Sequence, residues 1–276
     1  MVNFCAGLGI VFAWAALILM IFGQVGQVGT SVFPRHVRVF AIDTAGVAKA
    51  LESAARQSGV SIADAGNFSD VYSTQPVGEG YFTKGANESL HSGLRQTYEW
   101  GLWSYCATNG DLGAARSYCV ASSVQNGGVD PAAVLLEDVP AKYSDLLQSV
   151  LPAEVFKMSD SLDFYTNRAS VVILAATVTA GIAALLGLCA HRGGFLVAAV
   201  LQVVAALCLS AGLGMYQVLY SEASTAIDHA TAQGVDIGIA LAYGNGLAIL
   251  WAANALLYLS IVPYVVACCT GRTSKA

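Results

Sequence analysis

The sequence predicts a membrane all-α fold: a four-transmembrane-helix bundle carrying a large, mixed α/β, disulfide-stapled first extracellular loop. Three observations predict it. Of 276 residues, 56% are apolar and only 11% charged, and the mean hydropathy is positive, far from a soluble globular composition. Four stretches free of Lys, Arg, Asp and Glu are long enough to cross roughly 30 Å of hydrocarbon. The only two cysteines away from those stretches and their ends, Cys106 and Cys119, lie in the long polar segment between the first two.

The stretches are Phe4 to Phe22, Ser170 to Ala190, Phe195 to Tyr220 and a segment within Ile237 to Cys268. Without an internal charge, each can satisfy its backbone helically at little cost. The first is expected to be a retained anchor: its 19-residue apolar core exceeds a signal peptide's, no side-chain charge precedes it, and no small-x-small site follows Phe22. The chain then divides into span one at 1–23, a first extracellular loop at 24–168, span two at 169–190 and a cytosolic turn at 191–194. Span three follows at 195–220, a second extracellular loop at 221–236, span four at 237–269 and a cytosolic tail at 270–276. Span four exceeds what a crossing needs, which places Gly244, Asn245 and Gly246 near its outer end.

Charge sets the orientation. The turn contains His191 and Arg192, the tail Arg272 and Lys275, and neither has an acid; the first loop has ten basic against fifteen acidic residues, and Glu222, Asp228 and Asp236 lie at the second loop. The positive-inside rule therefore puts both termini in the cytosol and the long loop on the extracytoplasmic side; the family resemblance given below implies that the membrane is the plasma membrane.

Cys106 and Cys119 then occupy an oxidising compartment with twelve residues between them, and a disulfide closing such a loop would stabilise the domain by roughly 3 kcal/mol. A free or metal-bound pair is the alternative, with His91 the nearest further ligand. Asn67-Phe68-Ser69 and Asn87-Glu88-Ser89 are glycosylation sequons on the same side, making Asn67 and Asn87 candidate acceptors.

Within the first loop, Arg35 to Asp43 reads as a strand and Ala45 to Gln57 as an amphipathic helix with Val47, Leu51 and Ala54 on one face. Ser58 to Gly93 reads as loop. Gly101 to Ala107 and Ser117 to Ser122, separated by Asn109, Gly110, Asp111 and Gly113, read as a hairpin. Trp103 is expected to pack this hairpin onto the domain core, whereas Trp100 fits either packing or an exposed aromatic ridge. From Pro140 the pattern is helical through Tyr143, Leu146 and Leu147, and Pro152 opens a further helix toward span two.

No catalytic group stands out. His36, His91, His191 and His229 are dispersed, Glu137 and Asp138 read as a solvated turn before Pro140, no phosphate-binding glycine motif occurs, and the acidic loop suits no nucleic acid. The expectation is a protein that is not an enzyme, with no cofactor and no metal.

In the spans, Ala176, Ala180 and Ala184, and Ala206, Ser210 and Gly214, recur every four residues and allow close helix approach, within one bundle or between copies. Gln202 and Asn254 read as interhelical hydrogen-bond glue. Cys268 and Cys269, at the cytosolic end of span four, are palmitoylation candidates.

Gly101-Leu102-Trp103, two further residues, Cys106 and then Cys119, in a loop between spans one and two, resemble the claudin-like tetraspan signature. The whole chain is similar to the fungal PalI and eisosome cortical-patch family of four-span plasma-membrane proteins, through Val39 to Thr44, the block from Tyr98, Gly128 to Ala133 and the helical run Leu135 to Tyr165. That resemblance implies a non-enzymatic organiser of membrane domains supporting cell-wall integrity, with membrane lipids, other cortical membrane proteins, further copies of the chain and cell-wall polymer as its partners. The same resemblance leaves two alternatives: an accessory component of ambient-pH sensing, as in PalI, and an auxiliary subunit of a channel or cell-fusion machinery, as in other claudin-like proteins. Animal claudins have a much shorter first loop, so a junction-forming role does not carry over. PalI itself typically carries a long cytosolic tail, and only seven residues follow Cys269 here.

Overall fold

In the computed structural model the described residues are 2–28, 36–57, 68–73, 80–83, 93–109, 118–121, 129–150, 153–188, 192–232 and 238–270. In chain order they form α1 (Val2–Gln24), β1 (Phe40–Asp43), α2 (Val47–Gln57), a 3-10 turn (Phe68–Val71), β2 (Gly80–Thr83), β3 (Thr97–Trp100), β4 (Ser104–Thr108) and β5 (Tyr118–Ala121). Then follow α3 (Pro131–Asp138), α4 (Ala141–Val150), α5 (Ala153–Leu188), α6 (Arg192–Ala232), β6 (Ala240–Tyr243) and α7 (Asn245–Thr270). Four of these helices contain stretches able to cross a membrane: Gly7–Gln24, Leu162–Leu188, Gly193–Asp228 and Asn245–Cys268. The tetraspan expectation holds, with α5 and α6 longer than predicted, so that the second loop begins as helix through Ala232.

The chain folds as two compact units. One comprises Met1–Gln24, Arg168–Tyr216 and Gly246–Ala276, and the other Val25–Asn167 and Gln217–Asn245.

The membrane unit is cored by alanine. Ala13, Ala184, Ala198, Ala199 and Ala267 are buried together around Phe195 and Tyr264, whose rings stack at 6.1 Å. Small side chains let helix backbones approach, which in lipid replaces the hydrophobic drive available in water. Ala176, Ala180 and Ala184 are all fully buried within the chain, as is Ala206, so the span-two stripe is used for packing inside one bundle. Polar ties join the spans: Gln24 Nε2 donates to Thr177 Oγ1, the Ser170 and Tyr216 hydroxyls meet at 2.6 Å, and Asn254 Nδ2 donates to Ser210 Oγ at 2.9 Å. Asn254 is thus the glue its position suggested. Gln202 is not. It is fully buried, yet neither its amide nitrogen nor its oxygen meets a hydrogen-bond partner among the described residues.

The second unit is built on a six-stranded sheet of order β2-β5-β4-β3-β1-β6. All pairings are antiparallel except the parallel pair β2 and β5. Three sequence expectations change here. Residues 240–243 are strand rather than the start of span four, because Ala41 and Ile42 pair with Ala242 and Leu241, and the helix begins only at Asn245. The run Gly101 to Ala107 is not one strand: β3 ends at Trp100, Gly101 N–H donates to the Ser104 carbonyl at 2.8 Å, and β4 begins there. The stretch read as loop from Ser58 to Gly93 contains the 3-10 turn and β2.

Register divides the sheet into two faces, since side chains alternate along a strand. Phe40, Ile42, Tyr98, Trp100, Tyr105, Ala107, Tyr118 and Val120 share one face; Ala41, Glu99, Ser104, Cys106 and Cys119 share the other. Helix α3 starts cleanly because Asp130 Oδ1 accepts the Ala133 N–H at 2.9 Å with Pro131 at the first helical position.

Candidate functional site

The two faces carry two constellations. On the first, aromatic rings run across the strands: Phe40 stacks on Trp100 at 5.1 Å, Trp100 lies 5.8 Å from Tyr105, and Tyr105 meets Tyr118 edge-on at 6.4 Å. Trp100 is 3% exposed and therefore belongs to this core, while Trp103, expected to pack, is half-buried in the turn.

Asp138 closes the face from above. The sequence around it suggests a solvated turn, but Asp138 is the last residue of α3 and fully buried. Its Oδ2 accepts from the Tyr98 hydroxyl at 2.5 Å and the Tyr118 hydroxyl at 2.7 Å. Tyr98 in turn accepts the Arg95 backbone N–H at 3.1 Å, and the Arg95 guanidinium lies 5.7 Å from the centre of the Tyr118 ring. Tyr98 and Tyr118 are two strands apart, about 10 Å by ladder spacing, so one carboxylate gathers β3 and β5. Burial first, and the Asp138 charge second, push both phenols well above their ordinary range. Tyr105 is raised by the same causes in the same order. Tyr98 and Tyr118 are held as neutral donors to Asp138, an arrangement that fixes a core.

On the opposite face the signature block receives the chain leaving α1. Leu102 and Trp103 form the tip of the β3–β4 hairpin, with Leu102 buried. Gly101 is required because a Cβ there would collide with the Gly26 carbonyl, and Gly26 in turn abuts the Val37 carbonyl. Gln27, between them in sequence terms, takes a left-handed φ of 60°, a conformation that costs a non-glycine residue about 1 kcal/mol or more. Its surroundings hold it there: the Ser104 hydroxyl donates to the Gln27 carbonyl at 2.6 Å, and Gln27 Nε2 reaches Glu99 Oε2 at 3.3 Å and the Val37 carbonyl at 3.4 Å. Glu99 also forms an ion pair with Arg38. Beside this cluster Cys106 and Cys119 face each other in register across β4 and β5 and form a disulfide. A signature that looks like a surface motif in sequence is thus a socket for residues 26 and 27. Gln27 escaped the sequence reading because its backbone angle and its bonds to Ser104, Glu99 and Val37 depend on residues distant in sequence.

Asn67 and Asn87 lie outside the described residues. Cys268 is half-buried against the alanine core of the membrane unit, and nothing is described of the Cys269 side chain. Among the described residues no three His, Cys, Asp or Glu side chains converge as metal ligands.

No curated protein matches the chain in a sequence search. The SUR7/PalI family, by contrast, matches over residues 5–263, from the first span into the fourth and across all six strands of the sheet, and the chain belongs to that family of membrane proteins.

Proposed function

We propose that this protein is a non-enzymatic organiser of plasma-membrane domains, of the kind found in eisosome cortical patches, that supports cell-wall integrity. The observation that carries this reading is the use made of the signature block: Gly101, Ser104, Cys106 and Cys119 are committed to holding the α1 exit and the sheet together. Chemistry invested in rigidity suits a scaffold. The charge distribution, with Arg192, Arg272 and Lys275 opposite the acidic loop, supports cytosolic termini and an outward-facing sheet. Its partners on this reading are membrane lipids, other cortical membrane proteins, further copies of the chain and cell-wall polymer.

A fluorescently tagged full chain tests this. Static cortical puncta, and altered patches when the gene is deleted, are expected. Diffuse membrane signal with impaired alkaline growth would favour an accessory role in pH sensing, and enrichment at cell-fusion tips an auxiliary role in fusion; either would overturn the organiser reading.

A further inference from the structure

Ala206, Ser210 and Gly214 lie one helical turn apart on one face of α6, and the bundle uses them unequally. Ala206 is fully buried and Ser210 half-buried, while a Cβ added at Gly214 would meet nothing within 4 Å. A stripe of small residues alone is ordinary packing surface. Polar groups set this one apart. Ser210 gives its hydroxyl proton to the Ala206 carbonyl, so its oxygen is the acceptor for Asn254 Nδ2 at 2.9 Å and for the Tyr258 hydroxyl at 3.3 Å. Asn254 is 4% exposed, yet its Oδ1 meets no hydrogen-bond partner among the described residues. That orphan acceptor belongs to the same amide that touches the stripe. Trp251 and Tyr258, 40% and 43% exposed, stand on the Asn254 face of α7, three residues before it and four after.

We infer that this face of α6 and α7 is where a second copy of the chain docks within the membrane. Depth selects the occupant. Asn254 lies about 14 Å along the helix from the end of its span at Asn245, near the middle of the hydrocarbon, where an unpaired amide oxygen is costly and where tyrosine and tryptophan are away from the interfaces they favour. Lipids carry their hydrogen-bond donors at headgroup level. A second copy in the same bilayer presents its Trp251 indole N–H and its Asn254 amide at matching depth, because its sequence is the same. Close approach at Gly214 brings the helices together, and a donor of one copy then reaches Asn254 Oδ1 of the other. This gives a surface to one partner of the organiser reading, on which its use in the cell rests. Association of the purified chain is measured apart from cortical localisation, so either can fail alone.

Energy transfer between donor-tagged and acceptor-tagged full chains in phosphatidylcholine vesicles, measured over a range of protein-to-lipid ratios, tests it. Wild type is expected to associate above the level that random proximity gives. Gly214→Leu fills open space and should keep the wild-type thermal midpoint while raising the dissociation constant about tenfold, and Tyr258→Phe should raise it about threefold. Val178→Leu, at an exposed position of α5, should leave it unchanged. If Gly214→Leu lowers the midpoint, Tyr258→Phe decides. The inference is overturned if wild type stays at the random level at every density, which would leave the face to lipid or to a different protein. It is equally overturned if the folded Gly214→Leu and Tyr258→Phe chains associate as wild type does, or if Val178→Leu weakens association as much as they do.

Discussion

The Tyr98 hydroxyl donates to Asp138 Oδ2 at 2.5 Å, tying the middle of the sheet to the end of α3 across 40 residues of sequence. Because Tyr118 donates to the same oxygen, removing the carboxylate leaves two buried hydroxyls without the acceptor for their protons. Asp138→Ala should therefore destabilise the sheet-bearing unit by about 3–5 kcal/mol, and Tyr118→Phe by about 1.5–3 kcal/mol. Amide hydrogen exchange in β3 and β5 of the detergent-solubilised chain reads both. Equal protection in Asp138→Ala and wild type would refute the network's structural role.

The same cluster sets an alkaline limit. Tyr98, Tyr105 and Tyr118 all have phenol pKa values raised in the fold, by burial first and by Asp138 second. A group whose folded pKa is raised contributes stability that is intact below its unfolded pKa, near 10 for tyrosine, and declines above it. Stability should thus be insensitive to these groups up to about pH 10 and fall beyond it by about 1.4 kcal/mol per pH unit for each tyrosine. Phenolate absorbance during titration checks this, with Tyr98, Tyr105 and Tyr118 expected to resist ionisation until the protein unfolds. If all of them ionise together near 10 while the fold persists, the burial argument is wrong.

Gly101→Ala should be worse than Trp103→Ala, the reverse of what side-chain size suggests. The added methyl meets the Gly26 backbone carbonyl, which cannot swing aside as a side chain could, whereas Trp103 is half-buried at a hairpin tip. Overpacking against backbone costs about 1–3 kcal/mol or more, and here it would also displace the strained Gln27. The expected readout is loss of the intramolecular Cys106–Cys119 bond on non-reducing gels in a larger fraction of Gly101→Ala than of Trp103→Ala. Equal oxidation in the two variants would show that the Gly26 contact yields easily.

The spans, the disulfide and the aromatic block are legible in the sequence because composition and local spacing determine them. Phe4 to Phe22 can be nothing but apolar helix whatever surrounds it, and a lone cysteine pair in one long polar loop has few options. What stays hidden depends on partners distant in sequence. Ala240 to Tyr243 reads as the first turn of span four, since an apolar run carries no sign that β1 waits beside it. Asp138 next to Glu137 reads as solvated, since an acid's burial is decided by the two tyrosines that satisfy it. The Gln27 turn is invisible for a similar reason: its strain is offset by Ser104, 77 residues later.

Gln202 and Asn254 look alike in sequence, each a lone amide in an apolar span, and the structure separates them. Asn254 donates to Ser210, and Ser210 Oγ in turn bonds the Ala206 carbonyl at 2.8 Å, so the amide is wired into α6. Gln202 is equally buried, with neither polar atom partnered among the described residues. A buried amide without partners costs about 1–3 kcal/mol on mutational scales, so an apolar residue of similar length should relieve it. Gln202→Met is expected to raise the thermal midpoint of the detergent-solubilised chain. Asn254→Leu should lower it by the loss of one interhelical bond, about 0.6–2 kcal/mol. If Gln202→Met lowers the midpoint as much as Asn254→Leu does, the Gln202 amide has a partner in the membrane and is glue after all.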